Sequence, residues 1–178
     1  MADGTLKVGT ITTSSGSGTI TLGQSGETVD MANGTITLNS GMKNTPAFRA
    51  KASSSFTADH NTNVVIPADT ELMDTDSKYD TSTYRFTPSA GKYYLFAKST
   101  FQNFAADKVA YLSIRKNGSA IATFTNGIGV SDDVSNFVAN IEEANGTDYF
   151  DAVVLQTSGS TQTATSACYF GGYKIIGA

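Results

Sequence analysis

From Pro46 onward, apolar and polar positions alternate at period two, the mark of half-buried strands. Tyr93, Leu95, Ala97, Ser99 and Phe101 fall on one side of an extended segment, and Tyr94, Phe96, Lys98 and Thr100 on the other. Ala110, Leu112 and Ile114 oppose Tyr111, Ser113 and Arg115, and Phe137, Ala139 and Ile141 alternate with Val138, Asn140 and Glu142. The pattern predicts strands over 47–57, 62–67, 82–87, 92–102, 108–116, 119–125, 134–143, 148–157 and 166–176. Turn signals separate them: Asn61, Pro88-Ser89-Ala90-Gly91, Asn117-Gly118, Asn126-Gly127, Asn145-Gly146 and Ser158-Gly159-Ser160. Asn-Gly suits a two-residue hairpin because both central residues need positive φ. No window of ten or more residues carries a capped 3.6-residue period. Short strands, regular turns and no helix predict an all-β protein, an antiparallel sandwich or barrel of about eight to ten strands.

Residues 1–45 read differently. Up to Asn44 there is no aromatic residue, and between Lys7 and Glu27 there is no charge. Gly4-Thr5-Leu6, Gly9-Thr10-Ile11-Thr12, Gly18-Thr19-Ile20-Thr21-Leu22 and Gly34-Thr35-Ile36-Thr37-Leu38 repeat one motif, Gly followed by alternating Thr and aliphatic residues, at irregular spacing. The aliphatic anchors, chiefly Ile11, Ile20, Leu22, Ile36 and Leu38, each gain about 1.5–3 kcal/mol on burial. Ordering the backbone costs about 1–2 kcal/mol per residue. One isolated copy therefore gains too little to order itself. Either the segment is a flexible Gly/Ser/Thr linker, or its apolar rows meet those of other chains. β-Branched residues at period two favour the second, a short intertwined β stalk or docking arm. The expected organisation is an N-terminal stalk or arm over 1–45 and a β head over 46–178.

Composition narrows the function. Of 178 residues 25 are Thr and 19 Ser, and 16% are charged, where about 25% is usual. The net charge is -4 and the pI about 4.8. No basic patch is visible, so nucleic acid is not an expected partner. No apolar run approaches a membrane span of about 18 residues, and Met1-Ala2-Asp3-Gly4 opens no recognisable signal peptide, so no membrane insertion is expected. Cys168, the lone cysteine, cannot form an internal disulfide and sits in an apolar strand. His60 is the lone histidine, and no Gly-x-Ser-x-Gly elbow is present, so no Ser/His/Asp site is expected.

The head resembles a known family. Pro46-Ala47-Phe48-Arg49-Ala50 is similar to the opening strand of the globular head of complement component 1q. Asp74, Tyr79-Asp80-Thr81-Ser82-Thr83, Phe86-Thr87-Pro88 and Gly91-Lys92-Tyr93-Tyr94 follow that family's central signature. Leu112 with Lys116-Asn117-Gly118 resembles its hairpin, and Phe170-Gly171-Gly172-Tyr173 its last strand. The chain departs from the pattern at Ala68, Leu95 and Ala97, where aromatics are usual, and in a Phe86-to-Gly91 spacing one residue short. The resemblance implies a jelly roll of the type shared with tumour necrosis factor, a threefold homotrimer, and binding rather than catalysis. Phe48, Tyr93, Tyr94, Phe96, Phe170 and Tyr173 are then expected in the trimer interface or the core, because the strand around Tyr93 is apolar on both sides.

The Gly/Ser/Thr repeats ahead of such a head resemble phage fibre and virion-appendage proteins, Ser15 to Thr28 most of all. A collagen stalk is absent, since no Gly-X-Y period exists. These resemblances imply a non-enzymatic virion surface protein, on tail or capsid and assembled in the host cytoplasm. It would contact other virion proteins through 1–45 and bind a host glycan or protein. A capsid decoration protein docked by the arm is the alternative. Tyr79, Asn103, Phe104 and Tyr149 are the candidate recognition-loop residues. No cofactor is required. Asp74 and Asp76 are candidate calcium ligands, since some members of the family hold calcium near the trimer axis.

Overall fold

A computed structural model of the chain describes residues 42–176 together with Ser25, Gly26 and Thr28. The expected stalk strands and their anchors Ile11, Ile20, Leu22, Ile36 and Leu38 lie outside the described residues. The chain divides into units Met1–Thr37 and Leu38–Ala178.

The described strands are β1 (Ala47–Lys51), β2 (Phe56–Ala58), β3 (Val64–Val65), β4 (Thr70–Asp74), β5 (Tyr79–Asp80), β6 (Arg85–Phe86), β7 (Gly91–Phe104), β8 (Lys108–Lys116), β9 (Ser119–Ile128), β10 (Asp132–Ala144), β11 (Phe150–Gln156), β12 (Gln162–Ala164) and β13 (Tyr169–Lys174). They form two antiparallel sheets. One runs β2-β12-β7-β13-β1-β4, with β10 on the other side of β7; the second runs β5-β6-β11-β8-β9, with β3 also on β11.

The fold class expected from the alternation is observed, and the differences lie at the turns. The expected strand 47–57 breaks after Lys51, where Asp69 accepts from both the backbone N–H and the hydroxyl of Ser53 at 2.8 and 2.7 Å. The strand expected at 82–87 shrinks to Arg85–Phe86, because the Asp80 carboxylate captures Ser82 and Thr83. Those bonds hold the Asp80 carboxyl down at about 2. Asn117-Gly118 makes the expected hairpin turn, with φ of 51° and 83° and Lys116 facing Ser119. Asn126-Gly127 makes none: Gly127 pairs with Val109, and β9 continues to Ile128. The short strands β4, β5 and β12 carry too little alternation to be expected.

The inner faces of the two sheets meet in one apolar cluster. Tyr93, Leu95, Ala97 and Phe101 are fully buried from β7, as are Ala110, Leu112 and Ile114 from β8. At one end Phe48 stacks on Tyr79 and Phe86, with centroids 4.8 and 4.2 Å away, and meets the edge of Phe170 at 5.0 Å. Phe86 in turn meets Tyr93 edge-on at 5.6 Å. Each buried phenol keeps its hydrogen bond: Tyr79 donates to the Ala68 carbonyl and Tyr93 to the Ser89 carbonyl, both at 2.9 Å. Burial pushes both phenol pKa values up. The alternation extends through two polar residues. Ser99 and Asn136 face each other in register on the inner side of β7 and β10, fully buried, and the Ser99 hydroxyl and both Asn136 amide atoms have no partner.

The two glycines of β13 leave room for the side chains of its neighbour β7. A Cβ on Gly172 would stand 2.7 Å from Leu95 Cδ2 and 2.9 Å from the Tyr94 carbonyl oxygen. Gly172→Ala is therefore expected to lower unfolding free energy by about 1–3 kcal/mol. Gly127→Ala, whose methyl meets nothing within 4 Å, should change it by less than about 0.5 kcal/mol. Urea unfolding of the two variants beside the parent chain measures both.

Candidate functional site

Alternation along β7 sends Tyr94, Phe96 and Lys98 to the side of the sheet that faces away from the core. Strand register then builds rows across that outer face. Ile141, Tyr94, Tyr173 and Ala47 form one row; Ala139, Phe96, Gly171, Arg49 and Met73 a second; Phe137, Lys98, Tyr169 and Lys51 a third. The aromatic members touch: Tyr94 lies 5.5 Å from Tyr173 and 6.1 Å from Phe96, and Phe96 lies 6.2 Å from Tyr169. The Phe96 ring rests over Gly171, where a Cβ would come within 2.5 Å of it. Ile141 is 58%, Phe137 50%, Met73 48% and Tyr173 38% exposed. An aromatic-rich sheet face open to solvent marks an interaction surface, whereas single exposed apolar residues do not.

A second apolar exposure lies at the edge of the sandwich. Phe124 of β9 pairs with fully buried Leu112 and shares its side of the sheet, yet is 43% exposed, because β9 ends the six-stranded sheet. Asn140 of β10 donates to the Ile121 carbonyl of β9 at 3.4 Å, so the last strands of the two sheets meet here. Val130, in the turn between them, is 70% exposed.

The residues expected in interface or core divide cleanly. Phe48, Tyr93 and Phe170 are core, while Tyr94, Phe96 and Tyr173 form the outer face. Two expected loop residues are corrected. Tyr79 opens β5 and is buried against Phe48, and Phe104 closes β7, fully buried 5.4 Å from Phe101. Both are large aromatics beside turn residues, and the core takes them for their apolar area. Asn103 is exposed in left-handed backbone, φ 47°, and its N–H donates to Asp133 at 2.9 Å. Tyr149 is half-buried, with the Arg85 guanidinium 4.0 Å over its ring. The face residues Phe137, Ile141, Tyr169 and Met73 were not expected there. For β10 the signal was present, since apolar residues occupy both of its sides.

Asp74 spends its carboxylate on the turn that follows it, accepting from the N–H of Tyr79 at 2.9 Å and of Asp76 at 3.4 Å. Among the described residues no three His, Cys, Asp or Glu side chains gather as a metal site. Within the single chain the Asp74–Asp76 pair caps a turn. No pocket opens among the described residues. Cys168 is buried, which pushes its thiol up to about 11, and His60 lies exposed between β2 and β3.

No family model matches the chain, and no curated protein matches it. Solved structures do. The globular domain of zebrafish complement 1qA aligns with 16% identity over 73% of this chain and 97% of that one, with a TM-score of 0.55. The tumour necrosis factor Eiger of S. frugiperda aligns with 13% identity over 74% and 93%, TM-score 0.52, and murine APRIL with 8% identity over 72% and 98%, TM-score 0.56. The head is a jelly roll of the complement 1q and tumour necrosis factor type. At these identities the likeness concerns the fold.

One end of the jelly roll is locked by polar contacts. Arg115 donates to both carboxylate oxygens of Asp151 at 2.7 Å, a bidentate pair with Asp151 almost fully buried. Asp148 accepts from Asn117 Nδ2 at 2.7 Å and from the Asn145 N–H at 3.0 Å, with Lys116 Nζ at 3.3 Å. The Asn117 bond, then that of Asn145, lowers the Asp148 pKa. A depressed folded pKa stabilises above the unfolded value, about 4, and the gain disappears as pH falls through the folded one. Asp148→Ala is thus expected to lower the Tm fully near pH 6 and progressively less as pH falls below about 4, read by thermal melts at both ends of that window.

Proposed function

We propose that the protein is a non-enzymatic homotrimeric surface protein of a phage virion, a tail-fibre or appendage knob that binds a host glycan or protein. The observation that carries the trimer is the aromatic outer face built around Tyr94, Phe96 and Tyr173. A lone copy leaves it wet, at about 25 cal/mol for each Å² of apolar surface. The face and the β9–β10 edge around Phe124 are different surfaces. Seating one copy's edge on the next copy's face is a heterologous contact, which gives a ring when its rotation closes, whereas a twofold dimer would match one patch to itself. Three is the ring size that the resemblance to complement component 1q implies. Such a ring displays three copies of every loop, so weak single-site binding is multiplied by avidity. The exposed residues available for recognition are Asn103 and, in part, Tyr149. The virion assignment is supported by the Gly/Ser/Thr repeats before the head, which also suit the second reading, a capsid decoration protein docked by residues 1–45.

Light scattering of the full chain at micromolar concentration is expected to give three times 18.6 kDa. Ile141→Glu, at an exposed position of the single chain, should preserve the near-UV circular dichroism and yield one chain mass. A well-folded parent chain at 18.6 kDa would remove the trimer. Immunogold labelling of particles separates tail from shell. Host-cell binding by the trimer, lost in Asn103→Ala/Tyr149→Ala with the mass unchanged, is the expected sign of receptor recognition.

A further inference from the structure

Strand register fixes the level of the exposed edge against the rows of the outer face. β9 and β10 leave the turn at 128–132 in opposite directions, and Asn140 of β10 donates to the Ile121 carbonyl of β9, so those two residues stand level. The same count sets Ile128 opposite Asp133, which agrees with the turn that joins them. Three residues from the Asn140–Ile121 bond toward that turn, the two strands reach Phe137 and Phe124. Phe137 faces Lys98, Lys98 faces Tyr169 and Tyr169 faces Lys51. Phe124, the one large exposed apolar side chain of β9, is therefore level with the third row of the face. Ala122 comes level with Ala139 and Phe96, and Ala120 with Ile141 and Tyr94.

The third row differs in chemistry from the other two. Lys98 and Lys51 flank Tyr169 on the strands beside it, and the Arg49 guanidinium lies 4.8 Å over its ring. Among the described residues ion pairs are made by Arg115 and Lys116 alone, so these three cations meet no carboxylate there. An aromatic ring attracts a cation to its face, and the long stem of a lysine can swing aside and cover apolar surface. Tyr94 and Phe96, by contrast, fill the first and second rows with rings.

We propose that Phe124 of one copy seats on Tyr169 of its neighbour, between Lys98 and Lys51, while Ala122 and Ala120 pass over Phe96 and Tyr94. The inference rests on the trimer reading above, with the ring's axis along β7. Rotation about such an axis keeps every residue at its own level, so the level of Phe124 on its own copy is also its level on the next. The large residue of the edge then meets the row of flexible cations, and the small ones meet the rows of rings. That match of size fixes which residue of the edge lies on which row of the face.

Sedimentation equilibrium of the full chain measures the contact. Phe124→Ala should weaken the trimer about tenfold or more. Phe124→Lys and Phe124→Glu remove the same ring and differ in the sign of one charge. Beside three cations, Phe124→Lys should be the weaker of the two by about tenfold or more, and Lys51→Glu/Lys98→Glu in the same chain should reverse that order. Near-UV circular dichroism, expected to be unchanged in each, separates lost association from lost folding. A short bismaleimide then reads proximity directly. Phe124→Cys chains assembled with Lys98→Cys chains, at a concentration where scattering shows a trimer, should give a covalent dimer. Val130→Cys chains, altered beyond the end of β9, should give none with Lys98→Cys, and the native Cys168 is buried in all of them. Equal constants for Phe124→Lys and Phe124→Glu, or a product through Val130→Cys and none through Phe124→Cys, would overturn this contact and leave the trimer standing. A parent chain that is monomeric throughout would overturn both.

Discussion

The structure depends on β7 being paired along both edges while its two sides do different work. On one edge it pairs with β10 from Gly91 to Phe104; on the other it pairs with β13 and then β12. Period-two geometry then delivers Tyr93, Leu95, Ala97 and Phe101 to the core and Tyr94, Phe96 and Lys98 to the outside. A slip of one residue would exchange the two sets. The core cluster around Phe48 and the face around Phe96 are therefore set by one register.

That division explains how much of the molecule is legible in its sequence. Alternation in β7, β8 and β10 is long enough to mark each strand and its buried row, and Asn117-Gly118 places a turn without ambiguity. The short strands were beyond it: five residues of β4 or three of β12 carry no usable period. Turn chemistry also yields to pairing. Asn126-Gly127 could form a hairpin, but β8 offers backbone partners as far as Lys108, and β9 follows it. Tyr79 and Phe104 show the same order of strength, an aromatic beside turn residues drawn inward by its area.

The candidate surface was legible only in part. Tyr94 and Phe96 stood out because apolar residues filled both sides of one strand, and register sets them beside Tyr173 of β13. Their neighbours Ile141, Phe137 and Tyr169 come from β10 and β13, and only register brings them alongside. Ser99 and Asn136 mark the opposite case. Their positions in the alternation assign them to the core, and the fold buries them despite a desolvation cost of about 1–3 kcal/mol for each unpaired group. Backbone pairing over fourteen residues of β7 outweighs two poorly placed polar side chains.

The contact of Phe96 with Gly171 ties two positions far apart in the chain into one unit of change. The tip of the Phe96 ring occupies the space a Cβ at residue 171 would fill, and the bare backbone there is covered by that ring. A side chain gained at 171 must displace the Phe96 ring or meet a smaller residue there. Change at these two positions is therefore coupled, and glycine at 171 favours keeping an aromatic at 96 among descendants of this chain.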